Sequence, residues 1–413
     1  MSRRGLLALC LLLGACQRGS SEPAPAAPAS SAAHTSAPAP VTEAPAAVPS
    51  PQKAGGLDAS TPAVAALPVC NALEGTPLDS ARRYYDEERY EEALSCAAQA
   101  SALEPDNAEA HAERAMALVA LGRMAEAQLA FAHALAINPD SPDALLGAAN
   151  LYIVELSTSR EHDELGLLYS ERGLSRPGMP PDMVAQFALL SAMAFNDLGQ
   201  SEEALARTAI VLAREPHNSE ALYERALALF ELCRFTEAKT AFTALLNEPV
   251  HRAHAHQHVG MLLEREGKWR QAQQHFDKAR ELLPADFSQP VLPSEEEFRK
   301  AVADAVVALP EDMRRDLTGI PVTTEELPQD DDLLAGKPPL SPTILGLFRG
   351  PPLGEPCNET ETPCRSVVLY RRNLARVVRT PEELRKQISV TLLHEVGHLR
   401  GEDDGELAAR GLE

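Results

Sequence analysis

Residues 91–105, EEALSCAAQASALEP, and residues 125–139, AEAQLAFAHALAINP, carry one pattern of small and large side chains twice. Laid one over the other they match at an offset of 34 residues: Ala93 with Ala127, Ala97 with Phe131, Ala100 with Ala134, and Pro105 with Pro139. The same frame returns at Ala204, Ala238 and Ala272, with Phe242 and Phe276 at the large position and Pro216 and Pro284 at the late one. A unit this short cannot bury its apolar face alone, so neighbouring copies must stack. Ala127 and Ala204 lie 77 residues apart, two periods plus nine, which predicts an irregular extra copy with an insertion over about 142–180.

This small-large-small pattern resembles the tetratricopeptide repeat over residues 74–286. The resemblance implies a mostly α, helical solenoid, here assigned to 70–290, with a concave groove for a protein or peptide partner. His251, His254, His256 and His258 fall in the last copy. On a helix only His254 and His258 share a face, and no Cys or carboxylate lies nearby to complete a metal site, so these histidines are expected to face solvent.

Before the repeats, within residues 16–69, the chain from Gly19 to about Pro68 is built almost wholly of Ala, Pro, Ser, Thr and Val. Such a composition cannot form a core and is expected to be a disordered, semi-rigid tether. Residues 1–15 carry Arg3 and Arg4, then an uncharged run from Gly5 to Ala15, which reads as an export signal too short to span a bilayer. Leu13-Gly14-Ala15-Cys16 resembles the bacterial lipobox, which implies a signal peptide cleaved before Cys16 and a lipid anchor on that residue. Gln17 after the cysteine implies, by the same resemblance, an outer-membrane lipoprotein facing the periplasm.

The formal charge of -22 disfavours nucleic acid and anionic membrane surfaces as partners. An exported chain meets an oxidising compartment. Cys357 and Cys364 flank a short loop and are the first pair expected to bridge, with Cys70 and Cys96 second. Cys233, in an apolar helical pattern, reads as a buried small hydrophobe.

The chemistry lies near the other end. Thr380-Pro381-Glu382-Glu383 offers a hydroxyl N-cap, a proline at the first helical position and a glutamate to complete a capping box. Leu384, Ile388, Leu392, Val396 and Leu399 then form one apolar stripe, and Gly401 supplies a left-handed stop. On another face His394 and His398 stand one turn apart, so both imidazoles can reach one ion, with Glu395 beside its open position. That is the HExxH arrangement, in which zinc acidifies a water and the glutamate removes its proton. Upstream, Thr343–Phe348 and Ser366–Tyr370 read as short strands.

The ten-residue spacing from His394 to Asp404 is similar to that of zincins with the HExxHxxGxxD pattern, which implies Asp404 as the third ligand. Asp403 and Glu406 are local competitors. Leu309-Pro310-Glu311, the segments 344–350 and 367–372, and Thr391-Leu392-Leu393-His394-Glu395-Val396-Gly397-His398 together resemble the bacterial minimal zincin family of metallopeptidases. This resemblance covers 295–413 and implies a small α+β domain with a sheet beside the HExxH helix. The reading is a zinc-dependent peptidase, with Zn2+ on His394, His398 and Asp404 and Glu395 as base. Substrate would lie along Ser366–Tyr370, with Tyr370 or a nearby arginine at the oxyanion. The alternative is a non-catalytic lipoprotein adaptor that binds proteins through its repeats.

Overall fold

The computed structural model describes residues 69–71, 75–357 and 363–412. The expected signal peptide, Cys16 and the tether up to residue 68 lie outside the described residues. From Pro77 to Leu282 the chain is a stack of antiparallel helices, and the mostly helical solenoid read from the repeats is what is found. The turn inside the helix pairs has a left-handed residue at Glu88, Gly122, Gly199, Cys233 and Gly267, and these positions keep the period of the sequence repeat. Glycine suits that conformation because it has no Cβ to clash. Small residues face large ones across the stack. A Cβ on Gly147 would come within 2.4 Å of the Phe131 ring, and one on Gly260 within 2.5 Å of the Phe276 ring.

The irregular copy is resolved into a helix over Pro142–Asn150 that runs into a π-helical turn, Leu151–Glu155, before the next helix at Arg160–Leu174. Extra residues are therefore absorbed in a widened turn and the connections on either side of the second helix. Two disulfides are present, Cys70–Cys96 and Cys357–Cys364, and Cys233 is a free thiol among the described residues. Cys233 does not continue a helix. It occupies a turn at φ 57°, where its Sγ lies 3.6 Å from Leu340 O in the following domain.

Four histidines expected at the surface are a correction. His251 is 1% exposed and stacks on Tyr223 at 4.7 Å, while His254 is 8% exposed with its ring edge-on to Phe287. His258 stacks on Phe242 at 4.4 Å, and His256 Nδ1 lies 3.0 Å from His275 Nδ1. His251 is the N-cap of the helix Arg252–Arg265, which carries the other three, and the rings of His251, His254 and His258 pack against aromatic side chains of the stack.

After Ser294 the architecture changes to a small α+β domain. Its helices are α1 (Glu295–Ala308), α2 (Glu311–Asp316), α3 (Asp330–Leu333), α4 (Arg371–Arg376), α5 (Pro381–Arg400) and α6 (Asp404–Ala409). Three strands, β1 (Val322–Glu325), β2 (Gly346–Arg349) and β3 (Ser366–Tyr370), form a sheet in the order β1-β3-β2. β3 pairs parallel with β1 and antiparallel with β2, with Gly346 opposite Leu369 and Phe348 opposite Val367. Leu384, Ile388, Leu392, Val396 and Leu399 of α5 pack with Phe298 and Val302 of α1 and with Val367 and Leu369 of β3 into one core.

β1 is absent from the sequence reading, and β3 is not the exposed strand expected there. It is the central strand, with all five residues buried. Alternation along β3 sends Val367 and Leu369 toward α5 and Val368 and Tyr370 to the opposite face, against Leu333 and Ile344.

The domain docks directly on the last repeats. Arg372 donates to Glu264 at 2.8 Å, Arg376 also pairs with Glu264, and Arg265 donates to Pro328 O at 3.1 Å. Arg372 also covers the Trp269 ring at 4.2 Å.

Candidate metal centre

Helix α5 begins as its sequence dictates. The Thr380 hydroxyl accepts from Glu383 N at 3.1 Å, the Glu383 carboxylate accepts from Thr380 N at 3.2 Å, and Pro381 occupies the first turn. Gly401 ends it at φ 92°, and the chain reverses into α6. His394 and His398 face that returning segment.

Both imidazoles are held by main-chain carbonyls. His394 Nδ1 lies 2.6 Å from Leu412 O, and His398 Nδ1 lies 3.0 Å from Glu402 O. A carbonyl only accepts, so each Nδ1 must donate, and in the neutral ring each Nε2 then carries a lone pair. These two nitrogens are 3.0 Å apart. Asp404 Oδ1 is 3.3 Å from His398 Nε2 and 3.7 Å from His394 Nε2. Among the described residues this is the one group of His, Cys and carboxylate side chains whose ligand atoms converge, all within 4.8 Å of one another.

Three acceptors facing one another repel unless a cation lies between them. A tetrahedral zinc ion with bonds of about 2.0–2.1 Å separates its ligand atoms by about 3.3 Å. The donor set and spacing therefore fit zinc. The competitors Asp403 and Glu406 are engaged elsewhere: Asp403 caps α6 by accepting from Glu406 N at 2.8 Å, and Glu406 accepts from Asp403 N at 3.1 Å.

Glu395 is 3% exposed and sits under β2, where a Cβ on Gly346 would come within 3.0 Å of its side chain. Burial pushes its carboxyl up to about 7, against a weaker opposing influence from His398 and a hydrogen bond from the Phe348 main chain. Its Oε2 is buried with no hydrogen-bond partner among the described residues. Such an atom is costly unless it serves a bound group or a reacting proton. Burial likewise lowers His394, favouring the neutral ring a metal needs. The neighbouring His398 ring, with a smaller influence from His394, holds the Asp404 carboxyl below its usual value.

Residues 317–412 match the family model described as zincin-like metallopeptidase. The chain carries a zincin-like metallopeptidase domain. Residues 78–151 and 189–255 match a tetratricopeptide repeat model, so this metallopeptidase-like domain follows a repeat solenoid in the same chain. No curated protein matches the chain. Solved structures similar to it include YrrB, described as a TPR protein with an unusual peptide-binding site, at 18% identity and TM-score 0.38, covering 46% of this chain and 94% of that one. PilW, a type IV pilus biogenesis factor, aligns at 20% identity and TM-score 0.42 over 50% of this chain and 92% of its own. Pseudomonas aeruginosa pilF aligns at 13% identity and TM-score 0.42, over 50% and 90% respectively.

Tyr370 is a second correction. It is fully buried on the sheet face away from α5, with its hydroxyl 3.5 Å from Asp332, and offers no exposed atom to a substrate. The neighbouring arginines are also committed, Arg371 to Glu326 at 2.7 Å and Arg372 to Glu264. What the sequence did not reveal are main-chain groups: the Leu412 and Glu402 carbonyls and the Phe348 N–H. Backbone atoms leave no side-chain signature. Gly346 is the one available signal, since a strand glycine often marks close approach.

Proposed function

We propose that this chain is a zinc-dependent peptidase, with His394, His398 and Asp404 holding the ion and Glu395 moving the proton. The observation that carries the reading is the convergence of three acceptor atoms beside a buried carboxylate oxygen without a partner. Two imidazoles and one carboxylate suit zinc. The ion, when bound, supplies Lewis acidity toward a water and a scissile carbonyl. Glu395 takes the water's proton on its free oxygen and hands it to the departing amine, a role suited to a carboxyl poised near neutrality.

Substrate adds to the free edge of β2. Tyr370 N bonds to Leu345 O at 2.9 Å, so the alternating antiparallel pattern turns Leu345 and Leu347 toward β3 and the main-chain groups of Gly346 and Phe348 toward the other edge, where the Phe348 N–H is held by Glu395. That edge lies at Glu395, which supports β2 in place of the strand expected from sequence. The repeats recruit the protein to be cut, and acylated Cys16 anchors the enzyme to the outer membrane on the periplasmic side.

Elemental mass spectrometry on the purified chain should find about one zinc per molecule, and none in the His394→Ala, His398→Ala double variant. No metal in the folded wild type after zinc is supplied would leave the adaptor reading instead. The anchor has its own test: labelled fatty acid should enter the wild type and not Cys16→Ala.

A further inference from the structure

Residues 402–412 meet the metal centre three times. Glu402 O receives His398 Nδ1, Asp404 offers its carboxylate, and Leu412 O receives His394 Nδ1. Between these contacts the segment is pinned at three places. The Asp403–Glu406 capping box starts α6. Leu407, fully buried, lies on Gly397, where an added Cβ would come within 2.3 Å of Leu407 Cδ2. Beyond the helix, Gly411 adopts φ 71°, with Gly411 N bonded to Ala408 O at 2.9 Å and Leu412 N to Leu407 O at 3.1 Å. This left-handed cap brings the Leu412 carbonyl back onto His394.

We propose that residues 402–412 act as a single clasp, in which the Leu412 main-chain carbonyl is the positioning group that fixes His394 as an Nε2 ligand. The proposal rests on the metal-site reading above. A neutral imidazole can carry its proton on either nitrogen, and only the ring protonated at Nδ1 presents Nε2 to an ion. His398 obtains its acceptor within four residues, from the turn that ends its own helix. His394 has no such local partner and depends on a carbonyl eighteen residues away. The Gly397 position of the HEVGH motif has a matching role: it is the socket for Leu407, which carries the far end of the clasp. Residues 411 and 412 contribute no ligand, yet the occupied fraction of the site depends on them.

The test uses the full-length chain, its deletion variant lacking residues 411–413, and Leu412→Ala. Zinc affinity is measured by competition with a chelator, and histidine tautomers by 15N NMR, with His394→Gln identifying the His394 signals. The deletion keeps all three ligands and Glu395, and should weaken zinc by about 10–100-fold, as loss of an outer partner does. It should also release His394 from the Nδ1–H tautomer while leaving His398 in it. Leu412→Ala keeps the carbonyl and should stay within about twofold of the wild type. A deletion variant with wild-type affinity and an unchanged His394 tautomer would overturn the clasp. So would Leu412→Ala losing as much as the deletion, since packing of the side chain would then be the cause. The tautomer is readable without metal. A wild type that binds no zinc but shows the tautomer change would sink the metal-site reading while leaving the carbonyl contact in place.

Discussion

Two histidine pairs at the same four-residue spacing stand in this molecule and do different things. His254 and His258 lie in the helix Arg252–Arg265, and His258 Nδ1 bonds to His254 O within that helix at 2.9 Å. The His258 ring stacks on Phe242, and among the described residues no carboxylate joins the pair in a ligand group. His398 takes its Nδ1 partner from the turn just beyond its helix and His394 from Leu412, which leaves both Nε2 atoms pointed at each other and at Asp404. Spacing along a helix is therefore a permissive condition. What makes a site is a crossing segment that supplies acceptors on one side of the rings and a carboxylate on the other.

Glu395→Gln should lower peptide hydrolysis by about 10²–10⁴-fold while zinc content stays at the wild-type level. Loss of both together would mean that the residue is structural. Next comes Asp404→Ala, which removes the group that the repeat pair lacks. It should reduce zinc affinity by more than about 100-fold, beyond the range of an outer partner, as read by chelator competition. The matching change in the repeats, His254→Ala with His258→Ala, should leave zinc stoichiometry unchanged.

Acid sharpens the contrast further. Burial holds the His258 imidazole down to about 4, below its ordinary value of 6.5, with a bond to His254 O acting weakly the other way. Because the folded state takes up the proton less readily than the unfolded chain, its stabilising contribution is complete above pH 6.5 and is lost as pH falls toward 4. The full loss is on the order of 3 kcal/mol. Thermal melts between those pH values should show a slope that His258→Leu reduces. Smallest is Gly397→Ala, whose new methyl meets Leu407. Overpacking there should cost about 1–3 kcal/mol and lower zinc affinity, with α5 itself retained by circular dichroism.

Much of this was legible in the residues. The 34-residue period fixed the solenoid because each copy carries its own small and large positions, as Ala127 and Phe131 do. Helix α5 was readable from end to end because Thr380, Pro381, Glu383 and Gly401 are local signals. The strand order was not legible. Whether Ser366–Tyr370 sits at an edge or in the centre depends on β1, more than forty residues earlier, whose Val322-Thr323-Thr324 run is short enough to pass for a loop. Burial of His251 and His254 was hidden for a related reason: polar rings on a helix are covered by Tyr223 and Phe287 from other segments. The acceptors that orient His394 and His398 are main-chain oxygens, which every residue possesses.

The Cys70–Cys96 bridge has a mechanical consequence. It links the chain ahead of the first repeat to the helix Tyr90–Leu103, enclosing the helix Pro77–Asp86 within the covalent loop. A pull applied to the chain before Cys70 is handed across the sulfur bond to the second helix and does not peel the first one away. With thiols reduced, the same pull would unzip the solenoid one helix at a time from its outer end.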